Sequence, residues 1–180
     1  LVMLEMGHPS HIFDYESLNI NEIHIRRSKN GETFKTLDDN THKLKIENLL
    51  ITDGQKPIAL AGLMGGANSS INSKTKSVLV ECAYFNPITI RKSSKVLGLS
   101  TDASKRFERG ADPNACEYAF WRIVNLIEKY ANGTLVSEMI DKYPEIIDKV
   151  YINLDTAEIE NVLGVKIPSS KIESILTRLE

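Results

Sequence analysis

Residues 57–66, with the sequence PIALAGLMGG, decide the fold of this chain. The continuous apolar run from Pro57 to Met64 predicts a strand that is buried on both faces. Gly65 and Gly66 then break the run, because paired glycines make a tight turn and let a ligand approach the backbone N–H groups. A plain turn is the alternative, since the stretch lacks the Lys-Ser/Thr of a P-loop and the spacing of a dinucleotide fingerprint.

Short strands are predicted around this run, because β-branched and aliphatic residues recur between clusters of turn-forming residues. The clusters at residues 29–31 and 38–40 are predicted to be hairpin turns, since Asn and Gly accept a positive φ at low cost. The predicted strands cover residues 23–26, 33–37, 49–52, 58–63 and 78–82.

Beyond these strands the pattern becomes helical, most clearly over residues 113–132. Apolar residues recur there at the i, i+3, i+4, i+7 spacing of one buried helix face. Pro113 suits the first turn, and Gly133 suits the position after the last one. A further strand is predicted at about residues 134–140.

A second and smaller module is predicted near the end of the chain. A strand at residues 150–153 precedes two helices, whose starts at Asp155 and Ser170 resemble capping boxes. The predicted fold class is α+β, with a mixed β-sheet domain flanked by helices and followed by the start of a small helical module. Because the chain opens without Met and ends within a helical pattern, we expect it to belong to a longer protein. The predicted domains are residues 1–143, a linker at 144–149 and a truncated module at 150–180.

The charges nearly cancel, since 22 Lys and Arg residues against 24 Asp and Glu residues leave a net charge of −2. No global field therefore draws the chain to nucleic acid or to a membrane surface. The local balance differs, because residues 91–109 hold six basic residues against Asp102 and Glu108. A solvated charge run is the ordinary explanation of such a stretch, and a patch that contacts phosphates is the functional one.

Cys82 and Cys116 form neither a disulfide framework nor a zinc-binding spacing, which favours a reducing compartment and predicts a cytoplasmic location. No apolar run approaches the roughly 18 to 20 residues needed to span a bilayer, so no membrane partner is expected. His8 and His11 flank Pro9, but a zinc site would need a further ligand, so no metal site is predicted. A structural histidine and a site histidine are equal alternatives at this point.

Glu81 is the unusual residue of the apolar stretch SVLVECAYF at residues 77–85. A carboxylate in such a strand costs free energy unless it is paired or solvated. Strict alternation places Glu81 on the same face as Leu79 and Ala83, which argues against a purely solvent-facing role. Either an Arg or a ligand pairs with Glu81, and the sequence favours neither alternative.

Several motifs follow one another in a characteristic order: GHPSHIFD from Gly7, TDG from Thr52, ALAGLMGG from Ala59, ECAYF from Glu81 and GLSTDASKRFERGADP from Gly98. Together they resemble the beta chain of the bacterial-type phenylalanyl-tRNA synthetase, in the module that carries its editing site. The resemblance runs from Gly7 to about Gly133, and residues from about Val150 onward are similar to the start of the next, winged-helix-type module.

The resemblance implies an activity and its partners. The family joins phenylalanine to its tRNA with ATP and magnesium, and it is built from two alpha and two beta chains. The phenylalanine tRNA and the alpha chain are therefore the expected partners. ATP and magnesium are expected to serve the complete synthetase, with no cofactor in this chain. The matched module hydrolyses tyrosine that has been wrongly attached to the phenylalanine tRNA.

The resemblance also implies site residues. His11 is expected to be catalytic, Gly65 to contribute its backbone, and Glu81 to meet the tyrosine hydroxyl. Pro9 is expected to line the site, and Thr101 and Ala103 to line the amino-acid pocket. From the local charge, the residues expected to contact tRNA phosphates are Arg91, Lys95 and Lys105.

The chain departs from the family at three positions, where it has His8 for the usual Gln, Ser10 for a hydrophobic residue and Lys105 for His.

The expected chemistry agrees with physical principles, since a site that must hydrogen-bond a hydroxyl rejects a substrate without that hydroxyl by about 10⁴ to 10⁵. His11 and bare backbone N–H groups near Gly65-Gly66 are the groups available to hold water and the oxyanion. The rival interpretation is a catalytically silent module for assembly or RNA contact.

Overall fold

A computed structural model describes residues 1–19, 22–148 and 150–179. Its contacts divide it into two units, Leu1–Ile140 and Asp141–Glu180. Besides short 3₁₀ turns at Tyr15–Ser17 and Ala67–Ser69, the first unit contains α1 (Val2–Met6), β1 (Ser10–Asp14), β2 (His24–Arg27), β3 (Thr33–Lys35), β4 (Thr41–Lys43), β5 (Leu49–Thr52), β6 (Pro57–Leu60), β7 (Met64–Gly65), β8 (Val78–Cys82), α2 (Pro87–Leu97), α3 (Asp102–Phe107) and α4 (Ala115–Ala131).

The strands confirm the α+β class but pair differently from the prediction. They pair in the orders β1-β8, β2-β5-β6-β7 and β3-β4. Each of these pairs is antiparallel. The described strands therefore form three small antiparallel sheets where the sequence predicts a single mixed one.

The predicted apolar strand is β6, and it ends at Leu60 rather than at Leu63. The chain turns there through Gly62, whose φ of 69° favours glycine. A Cβ added at Gly62 would lie 2.7 Å from Cδ1 of Ile90, so the turn also needs a residue without a side chain. The chain then returns as β7, antiparallel to β6, which brings Gly65 back into the sheet.

Of the two predicted hairpin turns, one is confirmed. Residues 38–40 close the hairpin between β3 and β4, with Asp39 at a φ of 64°. Residues 29–31 do not close a hairpin, because β2 pairs with β5 and β3 pairs with β4. They connect two different sheets instead.

The β1-β8 sheet separates two apolar clusters. Phe13 on β1 and Leu79 on β8 pack in the main core, which contains β5 and β6. The alternate residues Ile12 and Val80 pack with Val2 of α1 and with α4. One face of this small sheet is therefore covered by helices, and the other face looks into the main core.

The helix predicted at residues 113–132 is confirmed as α4, whose buried face contains Ala119, Ile123 and Val124. The strand predicted at 134–140 is wrong, because no strand forms there. Its apolar side chains do not pack into a sheet.

In the second unit, the two predicted helices are confirmed as α5 (Thr156–Leu163) and α6 (Ser169–Leu179). The Asp155 side chain accepts a hydrogen bond of 2.9 Å from the Ala157 N–H, as its capping role predicts. The predicted strand at 150–153 is wrong, since these residues are exposed and form no strand. Lys149 of the predicted linker and Glu180 lie outside the described residues.

Candidate functional site

The centre of the candidate site is a cross-strand pair on the β1-β8 sheet. His11 and Glu81 lie directly opposite each other in the antiparallel register. Residues opposite each other in a sheet present their side chains on the same face. This face is the one that looks into the main core, as the predicted alternation of Leu79, Glu81 and Ala83 requires.

A cavity of about 50 Å³ opens beside this pair. Five of the six substrate-contacting or catalytic residues expected from the resemblance line it: Pro9, His11, Gly65, Glu81 and Ala103. Chain segments that are far apart in sequence therefore meet at one place. The cavity wall also contains residues that the sequence does not single out, among them Ile51, Leu60, Met64, Phe85 and Phe107.

The His11 imidazole packs against backbone and aromatic surface. A Cβ added at Gly65 would collide with Cε1 and Nε2 of the ring, so the glycine is required for this close approach. The Phe13 ring lies 4.5 Å from the imidazole, centroid to centroid. Nε2 of His11 is buried without a hydrogen-bond partner among the described residues. Burial lowers the pKa of His11, so the ring is neutral at pH 7.

Burial in the cavity wall raises the pKa of Glu81 to about 7. No Arg or Lys within the described residues forms an ion pair with this carboxyl group. The sequence left open whether an Arg or a ligand pairs with Glu81, and no Arg among the described residues does so. Glu81 can act at neutral pH as a hydrogen-bond acceptor or, when protonated, as a donor.

The expectation of bare N–H groups at the glycine pair is wrong for Gly66. Its N–H donates to the Ile58 carbonyl at 2.8 Å, since β7 continues its pairing with β6 through this residue. Gly66 is instead needed for packing, because an added Cβ would lie 2.7 Å from Cζ of Phe34. The carbonyl of Gly65 accepts a hydrogen bond of 3.1 Å from the Leu37 N–H.

Thr101 lies at the start of α3 and not among the cavity-lining residues. Its hydroxyl accepts a hydrogen bond from the Ser104 N–H at 3.0 Å and donates to the Leu63 carbonyl at 2.9 Å. The Ser104 hydroxyl accepts from the Thr101 N–H in return, which completes a capping box. Thr101 therefore orients α3, and α3 presents Ala103 and Phe107 to the cavity.

Comparison with known proteins identifies the domain. The profile of the B3/4 domain matches residues 1–132. The chain belongs to the B3/4 domain family.

Curated relatives of this B3/4 domain chain are named phenylalanine–tRNA ligase beta subunit, which confirms the resemblance. The protein from Protochlamydia amoebophila is 42% identical over 178 residues. Those from Thermotoga maritima and Geobacillus kaustophilus are 42% and 41% identical, each over 179 residues. Each match covers 99% of this chain and 22% of the relative. The chain thus spans about a fifth of the length of these relatives.

The basic residues of the B3/4 domain chain lie on exposed helix surfaces. Arg91 and Lys95 are one turn apart on α2, and both are exposed. Lys105 is exposed on α3, where its Nζ lies 3.8 Å from the Asp102 carboxylate. A pair of this kind on the surface contributes little to stability.

Arg27 is a further basic residue beside α2 that the sequence analysis missed. Its guanidinium donates to the Glu47 carbonyl at 2.7 Å and to Oγ1 of Thr89 on α2 at 3.4 Å. The preceding Arg26 instead pairs with Glu32 at 2.7 Å. No sequence spacing could have indicated this, because Arg27 and Thr89 are 62 positions apart.

Within the described residues, no three His, Cys, Asp or Glu side chains come close enough to hold a metal ion. None of the described helices has both the length and the apolar character needed to cross a membrane. ATP and magnesium are implied by the resemblance for the complete synthetase only.

Proposed function

We propose that this B3/4 domain is the editing module of a phenylalanine–tRNA ligase beta subunit and hydrolyses tyrosine mischarged onto the phenylalanine tRNA. The observation that carries the proposal is the pair of His11 and Glu81. They lie opposite each other at one cavity. Nε2 of His11 is buried without a hydrogen-bond partner, and the Glu81 carboxyl group forms no ion pair, among the described residues. Such unpaired polar groups in a cavity are what a polar ligand would satisfy.

Glu81 supplies the selection for tyrosine. Its carboxyl group accepts a hydrogen bond from the phenolic hydroxyl, and a bound phenylalanine leaves that group unpaired in the cavity wall. Because leaving a buried group unpaired costs more than an average hydrogen bond gains, the site disfavours phenylalanine. A site built in this way rejects the analogue that lacks the hydroxyl far better than an apolar pocket rejects an added one.

His11 supplies the group that positions the reactants of ester hydrolysis. The neutral imidazole can accept a hydrogen bond from water or from the terminal ribose of the tRNA. The water oxygen attacks the ester carbonyl and forms the C–O bond of the released amino acid. The ester C–O bond breaks, and a proton from the water passes to the ribose oxygen, which leaves as a hydroxyl. The terminal tRNA hydroxyl assists by holding the water or the developing oxyanion, since the Gly66 N–H is already paired.

The basic side chains of Arg91, Lys95 and Lys105 contact phosphates of the tRNA. We add Arg27 to these residues, because its exposed guanidinium lies beside α2, is held by uncharged oxygens and has no carboxylate partner among the described residues. A guanidinium fixed in this way loses little side-chain entropy when it binds a phosphate.

The complete ligase that we propose for this chain contains the alpha subunit in a two-alpha, two-beta assembly in the cytoplasm. Amino-acid activation with ATP and magnesium takes place outside this domain. The names of the relatives support the ligase. The editing of tyrosine is what the resemblance implies, and the chemistry of the cavity supports it.

Hydrolysis of two esters tests the proposal against its rival, a silent module for assembly or RNA contact. The chain, and in parallel the assembled ligase, is incubated with tyrosyl- and phenylalanyl-forms of the phenylalanine tRNA. The proposal predicts faster release of tyrosine than of phenylalanine. Binding of the tRNA without release of either amino acid would favour the silent module.

A further inference from the structure

His8 is a buried titratable residue that the proposed chemistry does not use. Its side chain is 1% exposed, although it directly precedes Pro9 and the cavity-lining segment of β1. Neither Nδ1 nor Nε2 has a partner at hydrogen-bonding geometry among the described residues. A buried imidazole without a well-formed hydrogen bond is costly, so its position calls for an explanation.

The His8 ring stands behind an aromatic part of the cavity wall. It packs edge-on against Phe107, with centroids 6.2 Å apart and planes at 86°. Phe107 packs edge-on in turn against Phe85, at 5.1 Å and 79°. Phe107 and Phe85 line the cavity, whereas His8 does not. His8 therefore contacts a residue of the cavity wall without lining the cavity itself.

We propose that His8 is a positioning residue of this cavity: its uncharged imidazole holds the Phe107 ring in the wall and thereby sets the space offered to the amino-acid side chain. The inference rests on the proposed function, because it concerns selection at the same cavity. It concerns wall geometry, whereas Glu81 acts by recognising a hydroxyl.

The surroundings of His8 favour the uncharged ring. The groups that face it are the Asp112 carboxylate, the backbone of Ala83 just after β8, and the apolar ring of Phe107 on α3. Asp112 and Ala83 raise the pKa of His8, and burial outweighs them, so that its pKa lies below the ordinary value of 6.5. Protonation places a charge behind Phe107, where only Asp112 among the named groups can compensate it. The packing of the aromatic wall then loosens.

An NMR titration of the chain tests this without any need for hydrolysis. Ring signals of His8 and Phe107 are followed from pH 8 downward. We expect the Phe107 signals to shift with the same midpoint as His8, below 6.5. In His8→Gln, which cannot titrate, this Phe107 transition should disappear. In the control His24→Gln, which removes an exposed imidazole paired with Glu22, it should persist.

Phe107 signals that stay constant while His8 titrates would overturn the inference, as would an unchanged transition in His8→Gln. The titration of the unmodified chain gives an answer even where a variant does not fold. If Phe107 responds but neither ester is hydrolysed, the proposed function fails and the coupling of His8 to the wall stands.

Hydrolysis kinetics with the two aminoacyl-tRNA esters then test whether the position of the Phe107 ring affects the preference for tyrosine. His8→Ala should raise KM for tyrosyl-tRNA and lower the preference for tyrosine over phenylalanine by about tenfold, with a smaller change in kcat. His8→Gln, which fills more of the space, should restore most of the preference. A preference that is unchanged in His8→Ala would contradict a positioning role.

Discussion

At the scale of single residues, His11 and Glu81 owe their chemistry to burial without a partner. Burial lowers the pKa of His11 and raises that of Glu81 to about 7, because it disfavours the charged form of each group. At pH 7 the imidazole is therefore neutral and the carboxyl group is close to half-protonated. A ligand that brings its own hydrogen bonds can use both groups without displacing an internal ion pair.

The raised pKa of Glu81 predicts a pH-dependent stability. The folded pKa of about 7 lies above the ordinary value of 4.5, so the free energy of unfolding is highest below pH 4.5 and falls as the pH rises to 7. Glu81→Gln should therefore be more stable than the native chain at pH 8, by up to about 3 kcal/mol, and equally stable at pH 4. Urea unfolding at the two pH values measures the difference.

The matched control for this comparison is Glu128→Gln, since Glu128 is exposed on α4. It should change the free energy of unfolding by less than about 0.5 kcal/mol at either pH. A Glu81→Gln variant that is no more stable than the native chain at pH 8 would show that the carboxylate is compensated, contrary to the structure.

A second prediction at the scale of single residues concerns Gly65. In Gly65→Ala the new Cβ would occupy the position of the His11 ring, so the imidazole must move. Displacement of a positioned group by about 1 Å can cost 10²-fold in rate, and we expect a loss of that order for tyrosyl-tRNA hydrolysis. In a His11→Ala background, Gly65→Ala should have little further effect. Full activity of the single variant would contradict the assigned place of His11.

The sequence predicted the orientation of Glu81 because alternation in a strand is a strict geometric rule. It could not predict which strand pairs with the strand of Glu81. The pairing of His11 with Glu81 was therefore not predictable, since these residues are 70 positions apart. The sequence also left the N–H of Gly66 bare, whereas that group donates a local hydrogen bond that composition does not reveal. The pocket-lining role that the resemblance implies for Thr101 stays a prediction, while its hydroxyl is used in local hydrogen bonds.

At the scale of elements, two helices are tied to the core by polar side chains. The Thr101 capping box and its bond to the Leu63 carbonyl fix α3 to the turn between β6 and β7. The buried Asn48 donates to Oγ of Ser93 at 3.0 Å, which fixes α2. These bonds determine the position of α3, which contributes to the cavity wall, and of α2, which carries Arg91 and Lys95.

Because Thr101 acts through its hydroxyl, we expect Thr101→Val and Thr101→Ser to differ in the free energy of unfolding. Thr101→Val keeps the shape but loses the cap and the Leu63 contact, and it should lower the free energy of unfolding by about 1 to 2 kcal/mol. Thr101→Ser keeps the hydroxyl and should stay within about 0.5 kcal/mol of the native value, with hydrolysis retained. Urea unfolding and deacylation rates measure both effects. Loss of hydrolysis in a stable Thr101→Ser would instead support a pocket-lining methyl group.

We expect the basic residues on and beside α2 to make the affinity for tRNA depend on the salt concentration, and Arg26 provides a control. Each phosphate contact adds nearly one unit to the slope of log affinity against log salt. Arg27→Ala and Lys95→Ala should each reduce this slope by about one for the phenylalanine tRNA. Arg26→Ala should leave it unchanged, because Arg26 is already paired with Glu32. Equal slopes for all three variants would mean that the surface is only solvated.

The elements that the sequence predicted best are α4, which has a complete helical period, and the strands β5 and β8, which are rich in aliphatic residues. The predicted strands at 134–140 and 150–153 failed although both are rich in β-branched residues. A strand needs a partner edge as well as propensity, and no strand pairs with either segment in the described residues. The hairpin predicted at 29–31 failed for a related reason, because turn residues do not specify which strands pair.

At the scale of the whole molecule, a nearly neutral chain carries a local basic surface and a cavity with two unpaired polar groups. Because the net charge is −2, the proposed contact with tRNA depends on the local basic residues. The profile match over residues 1–132 and the relatives that match over 99% of the chain support a ligase subunit. The cavity chemistry supports the narrower claim, that tyrosine is selected through Glu81.

The most direct test of that claim compares tyrosyl- and phenylalanyl-tRNA hydrolysis by the native chain, Glu81→Ala and the exposed control Glu128→Gln. A hydrogen bond to a charged group contributes about 1.5 to 3 kcal/mol, so Glu81→Ala should reduce the preference for tyrosine by roughly 10- to 150-fold. The reduction should come from slower tyrosyl-tRNA hydrolysis, and the control should keep the native preference. Equal loss on both substrates, accompanied by a lower melting temperature, would contradict selection through Glu81.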